Sequence, residues 1–248
     1  MGNDDAADVD RFQIRHRGEG AGAPDLDADA ADGRQRLFSR KFVRHRPARG
    51  AGIRSIGRTE EYFYMPVFES AAMIPPQTRR EALTEVRAQL DTVSGSILNI
   101  RVGGNDLSHA FGLRRPANRT IYDLRPVADI LIDIVAAFGT QYVVSGPVWE
   151  YYSGEGWEEG LRREMELDLL NGFTGKTVIH PNQIPVVNEM LRVSQQDYAD
   201  ARAILNWDTG SGSLVSASED GGRMNEYNTH SRWARRILLR AERYGVRA

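Results

Sequence analysis

The sequence predicts an α/β architecture with a parallel sheet, and two observations carry that prediction. From Tyr62 to Arg192, strand-like apolar runs alternate with amphipathic helical stretches, and the connections between them are short. A helical crossover between consecutive strands makes those strands parallel, either in an open doubly wound sheet or in a (β/α)8 barrel. In both arrangements the polar residues at the C-terminal ends of the strands are the functional candidates.

The elements follow from local signals. Tyr62–Phe68 is aromatic and apolar and reads as a buried strand. After Pro75 and Pro76, the residues Ala82, Leu83, Val86 and Leu90 recur at helical spacing across Thr78–Thr92. Ile97–Val102 is a second strand ending in Gly103 and Gly104. Asp123–Phe138 is a helix with Val127, Ile130, Leu131, Ile134 and Val135 on one face, stopped by Gly139. Gln141–Val144 is a third strand, and Gly156–Asn171 a helix with Leu161, Met165, Leu169 and Leu170 inward. Thr177–Ile179 is a fourth strand. Asn182–Arg192 and Ser194–Trp207 are helices, the second opened by Ser194 as N-cap. Gly210–Gly222 is a loop and Asn228–Tyr244 a final amphipathic helix.

The first 60 residues stand apart, with 11 Arg, 9 Ala, 8 Gly and 8 Asp. Few apolar residues recur there at a helix or strand period, so residues 1–60 read as a disordered or remnant segment ahead of a domain over 61–248. A net charge of −2 over 248 residues removes the electrostatic reason to expect nucleic acid as a partner. No run of about 18 apolar residues is present, so no membrane span is expected. Zero cysteine excludes disulfides and thiolate metal sites and fits a cytoplasmic setting. Neither a P-loop nor a G-x-G-x-x-G fingerprint is present, which argues against a nucleotide-binding open sheet.

Four strand ends carry chemistry. Glu69 follows the first strand, Asn105 and Asp106 the second, Ser145 the third and His180 the fourth. Neighbouring strands lie about 4.8 Å apart, so carboxylates at equivalent ends, Glu69 and Asp106, can share a divalent ion. An oxygen-only donor set favours Mg2+ or Mn2+ over Zn2+. The plainer alternative is that both acids cap the following helices or pair with arginines. Arg101 can clamp a carboxylate bidentately or serve as an ion-pair partner. Gly103 and Gly104 allow close approach of a ligand to the backbone or simply make a tight turn. His180 is a catalyst or a packing histidine.

At these residues the chain resembles a known family. Gly172–Glu189 (GFTGKTVIHPNQIPVVNE) is similar to the G-F-D-G-K-x-x-I-H-P-x-Q-I-x-x-V-N-E signature of the citrate lyase β-subunit family, the HpcH/HpaI aldolase group. Val67–Ala72 (VFESAA), Gly103–Leu113 (GGNDLSHAFGL) and Gly222–Gly245 resemble three further motifs of that family, in its order. The branch it most resembles is the C–C bond lyases of stress and tellurium-resistance gene clusters.

The resemblance implies a (β/α)8 TIM barrel of the phosphoenolpyruvate/pyruvate type. Mg2+ would be held by Glu69 and Asp106 at the ends of family strands 5 and 6. The chemistry would be cleavage or formation of a C–C bond next to an oxo-acid or acyl-thioester carbonyl, through a metal-stabilised enolate. Arg101 and His180 are the catalytic candidates, and Gly103, Gly104, Asn105 and Ser145 the substrate-binding ones. Phe42–Pro47 (FVRHRP) echoes the family's V-R-x-N, making Arg44 a further substrate-binding candidate. Only about 25 residues separate Arg44 from Glu69, too few for the intervening βα units. The count therefore gives an incomplete barrel, strands 5 to 8 plus C-terminal helices, with open edges that favour a homo-oligomer. The competing expectation is an inactive truncated fragment or a non-catalytic partner subunit.

Overall fold

Proline at position 66 decides where the first strand begins. In the computed structural model, which describes residues 63–207 and 215–247, Tyr64 makes a lone parallel bridge to Ile97. Pro66 has no N–H to donate, so the ladder breaks there. Strand β1 is only Val67–Phe68. The longer buried strand expected over Tyr62–Phe68 is not formed, and Phe63 and Met65 are exposed.

Three further strands complete the sheet: β2 (Ile100–Val102), β3 (Val144–Gly146) and β4 (Gly175–Lys176). The order is β1-β2-β3-β4 and every pair is parallel. A doubly wound sheet reverses its strand order at a switch point. This sheet advances in one direction, as consecutive strands of a barrel do, which separates the two architectures left open above. Two strands lie elsewhere than predicted. The N–H groups of Gln141 and Tyr142 close the preceding helix onto the Phe138 carbonyl, so β3 starts at Val144 instead of Gln141. The expected strand over Thr177–Ile179 is replaced by Gly175–Lys176: the Thr177 N–H still reaches the Gly146 carbonyl at 3.1 Å, but Val178 and Ile179 are exposed and outside the sheet.

Helices cover one face of this sheet. Helix α1 (Pro76–Asp91) has Pro at its first position, where the missing N–H costs nothing. A short helix, α2 (Gly104–Ala110), leaves directly from the end of β2. Helix α3 (Arg125–Phe138) is the most apolar of the set. Leu83, Val86 and Leu90 of α1, and Val127, Ile130, Leu131, Ile134 and Phe138 of α3, pack with Phe68, Ile100, Val102 and Val144 in one core. The Phe68 and Phe138 rings sit 5.0 Å apart, tilted by 43°.

Tyr142 closes the bottom of that core. Its ring is buried and its hydroxyl donates to Asp91 Oδ1 at 2.6 Å. Burial first, and then the hydrogen bond to the Asp91 carboxylate, push the phenol up to about 12 from its ordinary 10.0. A pKa raised on folding holds stability fully below pH 10 and loses it as pH rises toward 12. We expect about 2–3 kcal/mol to disappear over that window, since each unit is worth about 1.4 kcal/mol. Urea titrations between pH 9 and 12 check this: Tyr142→Phe should flatten the alkaline loss, and an unchanged slope would overturn the assignment.

Helix α4 (Trp157–Leu170) corrects an inward stripe. Leu161 and Met165 are buried as expected, but Leu170 is 81 % exposed. The remaining inward positions are Glu164 and Asp168, giving i, i+3, i+4, i+7 with two acids in it. Asp168 accepts from Lys176 Nζ at 2.7 Å and from the Tyr122 hydroxyl at 2.7 Å. The Lys176 and Asp168 side chains are 0 % and 2 % exposed.

The described residues divide into two compact units. One runs to Glu150 and resumes over Glu166–Thr177; the other comprises Tyr151–Met165 and the chain from Val178 onward. The second unit holds α5 (Gln183–Met190), β5 (Val193–Ser194), α6 (Gln195–Leu205), β6 (Val215–Ala217), β7 (Met224–Glu226), α7 (Tyr227–Tyr244) and β8 (Val246–Arg247). Ser194 caps α6 as expected, accepting from the Asp197 N–H at 3.1 Å. The loop predicted over Gly210–Gly222 contains β6, which pairs antiparallel with β7; residues 208–214 lie outside the described set. Strands β5 and β8 pair in parallel, and Val193, Ala201, Ile204, Ala234, Ile237 and Ala241 form this unit's core. Among the described residues no helix is long and apolar enough to cross a membrane. The segment 1–60 and Arg44 also lie outside the described residues.

Candidate active site

Strand parity builds the site. Val67 stands opposite Arg101, Arg101 opposite Ser145 and Ser145 opposite Gly175, while Phe68 and Val102 belong to the helix-covered core. Side chains alternate between faces, so Val67, Arg101, Ser145 and Gly175 share the face turned away from α1 and α3. Two residues further along, Glu69 and Gly103 continue that row; the Gly103 N–H, bonded to the Phe68 carbonyl at 3.0 Å, extends the ladder to this point.

Gly103 is where the two acids meet. A Cβ built on it would fall 2.5 Å from Glu69 Cβ and 3.2 Å from Asp106 Oδ2, and would overlap Glu69 Oε2. Its φ is −84°, an angle open to any residue, so space and not backbone freedom requires glycine here. Gly104 is similar: a Cβ would lie 2.6 Å from both Ile121 Cδ1 and Pro147 Cβ. Neither glycine has a positive φ.

Asp106 is not at a strand end, as the sequence suggests, but in the first turn of α2. There the helix N-terminus favours a negative charge. Neither acid is an N-cap: Ser70 precedes the turn after β1 and Gly103 precedes α2. Among the described residues no cluster of three or more His, Cys, Asp or Glu could hold a metal. The donor set is thus two carboxylates with open positions, which suits a hard cation that keeps several water ligands. The space over Gly103 that a side chain would fill supports the fit.

Arg101 lies on the same face two residues below Gly103, about 6.6 Å along the strand. Its Nε donates to Thr177 Oγ1 at 3.4 Å, and among the described residues no carboxylate pairs with it. Ser145 is less available: its Oγ accepts from Asn99 Nδ2 at 2.7 Å, and the side chain is buried beside Gly175, whose missing Cβ makes room for it. Asn105 Oδ1 accepts from Arg115 Nη1 at 3.3 Å. His180 belongs to the second unit, stacked on Tyr152 with ring centroids 4.3 Å apart. Its Nδ1 accepts the Asn182 N–H at 3.2 Å, so the neutral ring carries its proton on Nε2.

Sequence reasoning missed Asn99, Thr177 and Arg115. The first two were legible by parity, being two residues from Arg101 and Gly175. Arg115 sits in an aperiodic loop and gave no signal.

Residues 50–246 match the model of a family described as C-C bond lyase of the TIM-barrel fold. The chain belongs to that family. The four motifs that suggested it lie within the matched span, and the one-directional parallel sheet is the expected architecture. The chain is 38 % identical over 74 residues to the L-malyl-CoA/beta-methylmalyl-CoA lyase of Cereibacter sphaeroides; the match covers 29 % of this chain and 22 % of that protein. Two solved structures resemble it: protein CitE from Mycobacterium tuberculosis in complex with magnesium, acetoacetate and coenzyme A, and a citrate lyase from Burkholderia xenovorans. The first is 26 % identical with a TM-score of 0.45, covering 59 % of this chain and 53 % of CitE. The second is 19 % identical with a TM-score of 0.49, covering 67 % of this chain and 52 % of the citrate lyase. The chain thus spans about half the length of these solved structures and less of the curated relative.

Proposed function

We propose that this lyase cleaves or forms a C–C bond beside the carbonyl of an oxo-acid or acyl thioester, with Mg2+ held by Glu69 and Asp106. The observation that carries the reading is the meeting of the two carboxylates over Gly103, with Arg101 on the same face below them. When bound, the ion supplies Lewis-acid stabilisation to the oxygens of the oxo-acid portion.

The chain's own residues do the rest. Arg101, steadied through Nε by Thr177, presents its remaining N–H groups to a substrate carboxylate, a geometry its planar fork matches. The backbone at Gly103 and Gly104 and the side chain of Asn105 border the space above the acids. In cleavage, the hydroxyl on the β-carbon passes its proton to water as that carbon becomes a carbonyl. The C–C bonding pair moves to the α-carbon and onto the acyl oxygen, and the resulting enolate takes a proton back from water at the α-carbon.

The test uses a 3-hydroxyacyl-CoA bearing a terminal carboxylate, malyl-CoA first, with Mg2+ and a carbonyl reagent that traps the released oxo-acid. Asp106→Asn or Glu69→Gln should lower kcat/KM by at least about 100-fold, the scale of losing one charge-stabilising group. Turnover that survives Asp106→Asn would overturn the site. Absence of turnover in a chain that binds Mg2+ would leave it as a non-catalytic partner subunit.

A further inference from the structure

We infer that Arg115 is a positioning residue that fixes the Asp106 carboxylate, and so sets the affinity for the divalent ion; this rests on the metal reading above. Helix α2 is only seven residues long, and its N-cap, Gly103, supplies no side-chain hydrogen bond. Asp106, in its first turn, is therefore held by what braces the helix from outside. Two braces come from the segment after β3. Pro147 packs against Gly104 so closely that a Cβ there would lie 2.6 Å away. Arg115 ties the same segment to α2: Nη1 donates to Asn105 Oδ1 at 3.3 Å, Nη2 donates to the Val148 carbonyl at 2.7 Å, and the guanidinium lies over the Trp149 ring at 5.1 Å.

Arg115 is 1 % exposed and Trp149 0 %. Burying a guanidinium costs free energy that its contacts must offset, and the planar fork is what lets one side chain reach two acceptors while stacking on a ring. A lysine reaches one acceptor and does not stack in this way. Mg2+ demands near-ideal geometry, so a shift of α2 by a fraction of an ångström weakens binding while both carboxylates remain. Outer groups that orient metal ligands typically matter by 10- to 100-fold in affinity.

Mn2+ stands in for Mg2+ in the test, because its free and bound forms are distinguished by electron paramagnetic resonance. The full chain, stripped with EDTA and dialysed, is titrated with Mn2+ alongside Arg115→Lys and Asn105→Ala, and each protein is melted in EDTA. We expect Arg115→Lys to bind about 10-fold more weakly, with a broadened bound-Mn2+ spectrum. Asn105→Ala, which leaves the Val148 and Trp149 contacts in place, should bind a few-fold more weakly with an EDTA melt close to the parent's. Parent-like affinity in a folded Arg115→Lys overturns the inference. If Arg115→Lys does not fold, Asn105→Ala decides, and unchanged affinity there overturns it equally. A parent that binds no Mn2+ fails differently, removing the metal reading and the inference with it.

Discussion

Replacing Lys176 with methionine should lower the melting temperature by roughly 10 °C. The ammonium lies 2.7 Å from Asp168 Oδ2, and both side chains are sealed from solvent. Removing one member of a buried pair leaves the other charge uncompensated, which costs about 3–5 kcal/mol, whereas replacing both by apolar groups is often neutral. For a chain of this size about 1 kcal/mol shifts the melting temperature by roughly 2–4 °C. The carboxylate has no easy retreat. Its oxygens lie where a side chain on Gly146 would stand, a Cβ there falling 2.5 Å from Oδ2, and they also take the Tyr122 hydroxyl. The double substitution Lys176→Met with Asp168→Leu should recover much of the loss. A single variant melting within about a degree of the parent would show that the pair contributes little.

Gly103→Ala should abolish stabilisation by Mg2+ without changing any ligand. In the parent, an ion that binds the folded pair and hardly the unfolded chain raises stability by mass action, about 2.7 kcal/mol at 100 times its dissociation constant. Two carboxylates converging in its absence repel each other. A methyl at 103 would stand 2.5 Å from Glu69 Cβ, a separation real side chains do not adopt, so Glu69 must swing away and the pair is lost. Thermal melts with and without millimolar Mg2+ read this directly. The parent should shift upward and Gly103→Ala should not. Asp106→Asn should also lose the response, yet melt at or above the Mg2+-free parent, since it relieves the repulsion. An equal Mg2+ shift in parent and Gly103→Ala would remove the site from this position.

Much of this architecture was legible because apolar runs and glycines punctuate it. The run ending at Phe68 and the one ending at Val102 each stop at a polar residue or a glycine, so Glu69 and the Gly103–Asp106 segment stood out at once. Strand lengths were not legible. Two or three residues per strand leave no alternation to count, and where β3 starts and how far β4 runs depend on where the Phe138 carbonyl and the Gly146 carbonyl fall. The pair Asp168 and Lys176 was hidden for another reason: an acid at a helical position reads as solvated surface, and only its partner on β4 shows otherwise. For Gly103 the sequence left two readings open, close approach of a ligand or a tight turn, and the structure uses this glycine as empty volume beside Glu69. The β6–β7 hairpin was missed because Val215–Ala217 is exposed throughout and carries no hydrophobic signal.

The sealing of Lys176 has an analytical consequence. Lysine occurs at only two positions in the whole sequence, 41 and 176. With its ammonium fully enclosed, Lys176 reacts with an amine-directed acylating reagent only when the first unit opens. Peptide mass spectrometry of the acylated fraction, followed over time, therefore measures how often that unit breathes, with no mutation introduced. The scarcity of lysine leaves this protein with a single-site clock for the opening of its first unit.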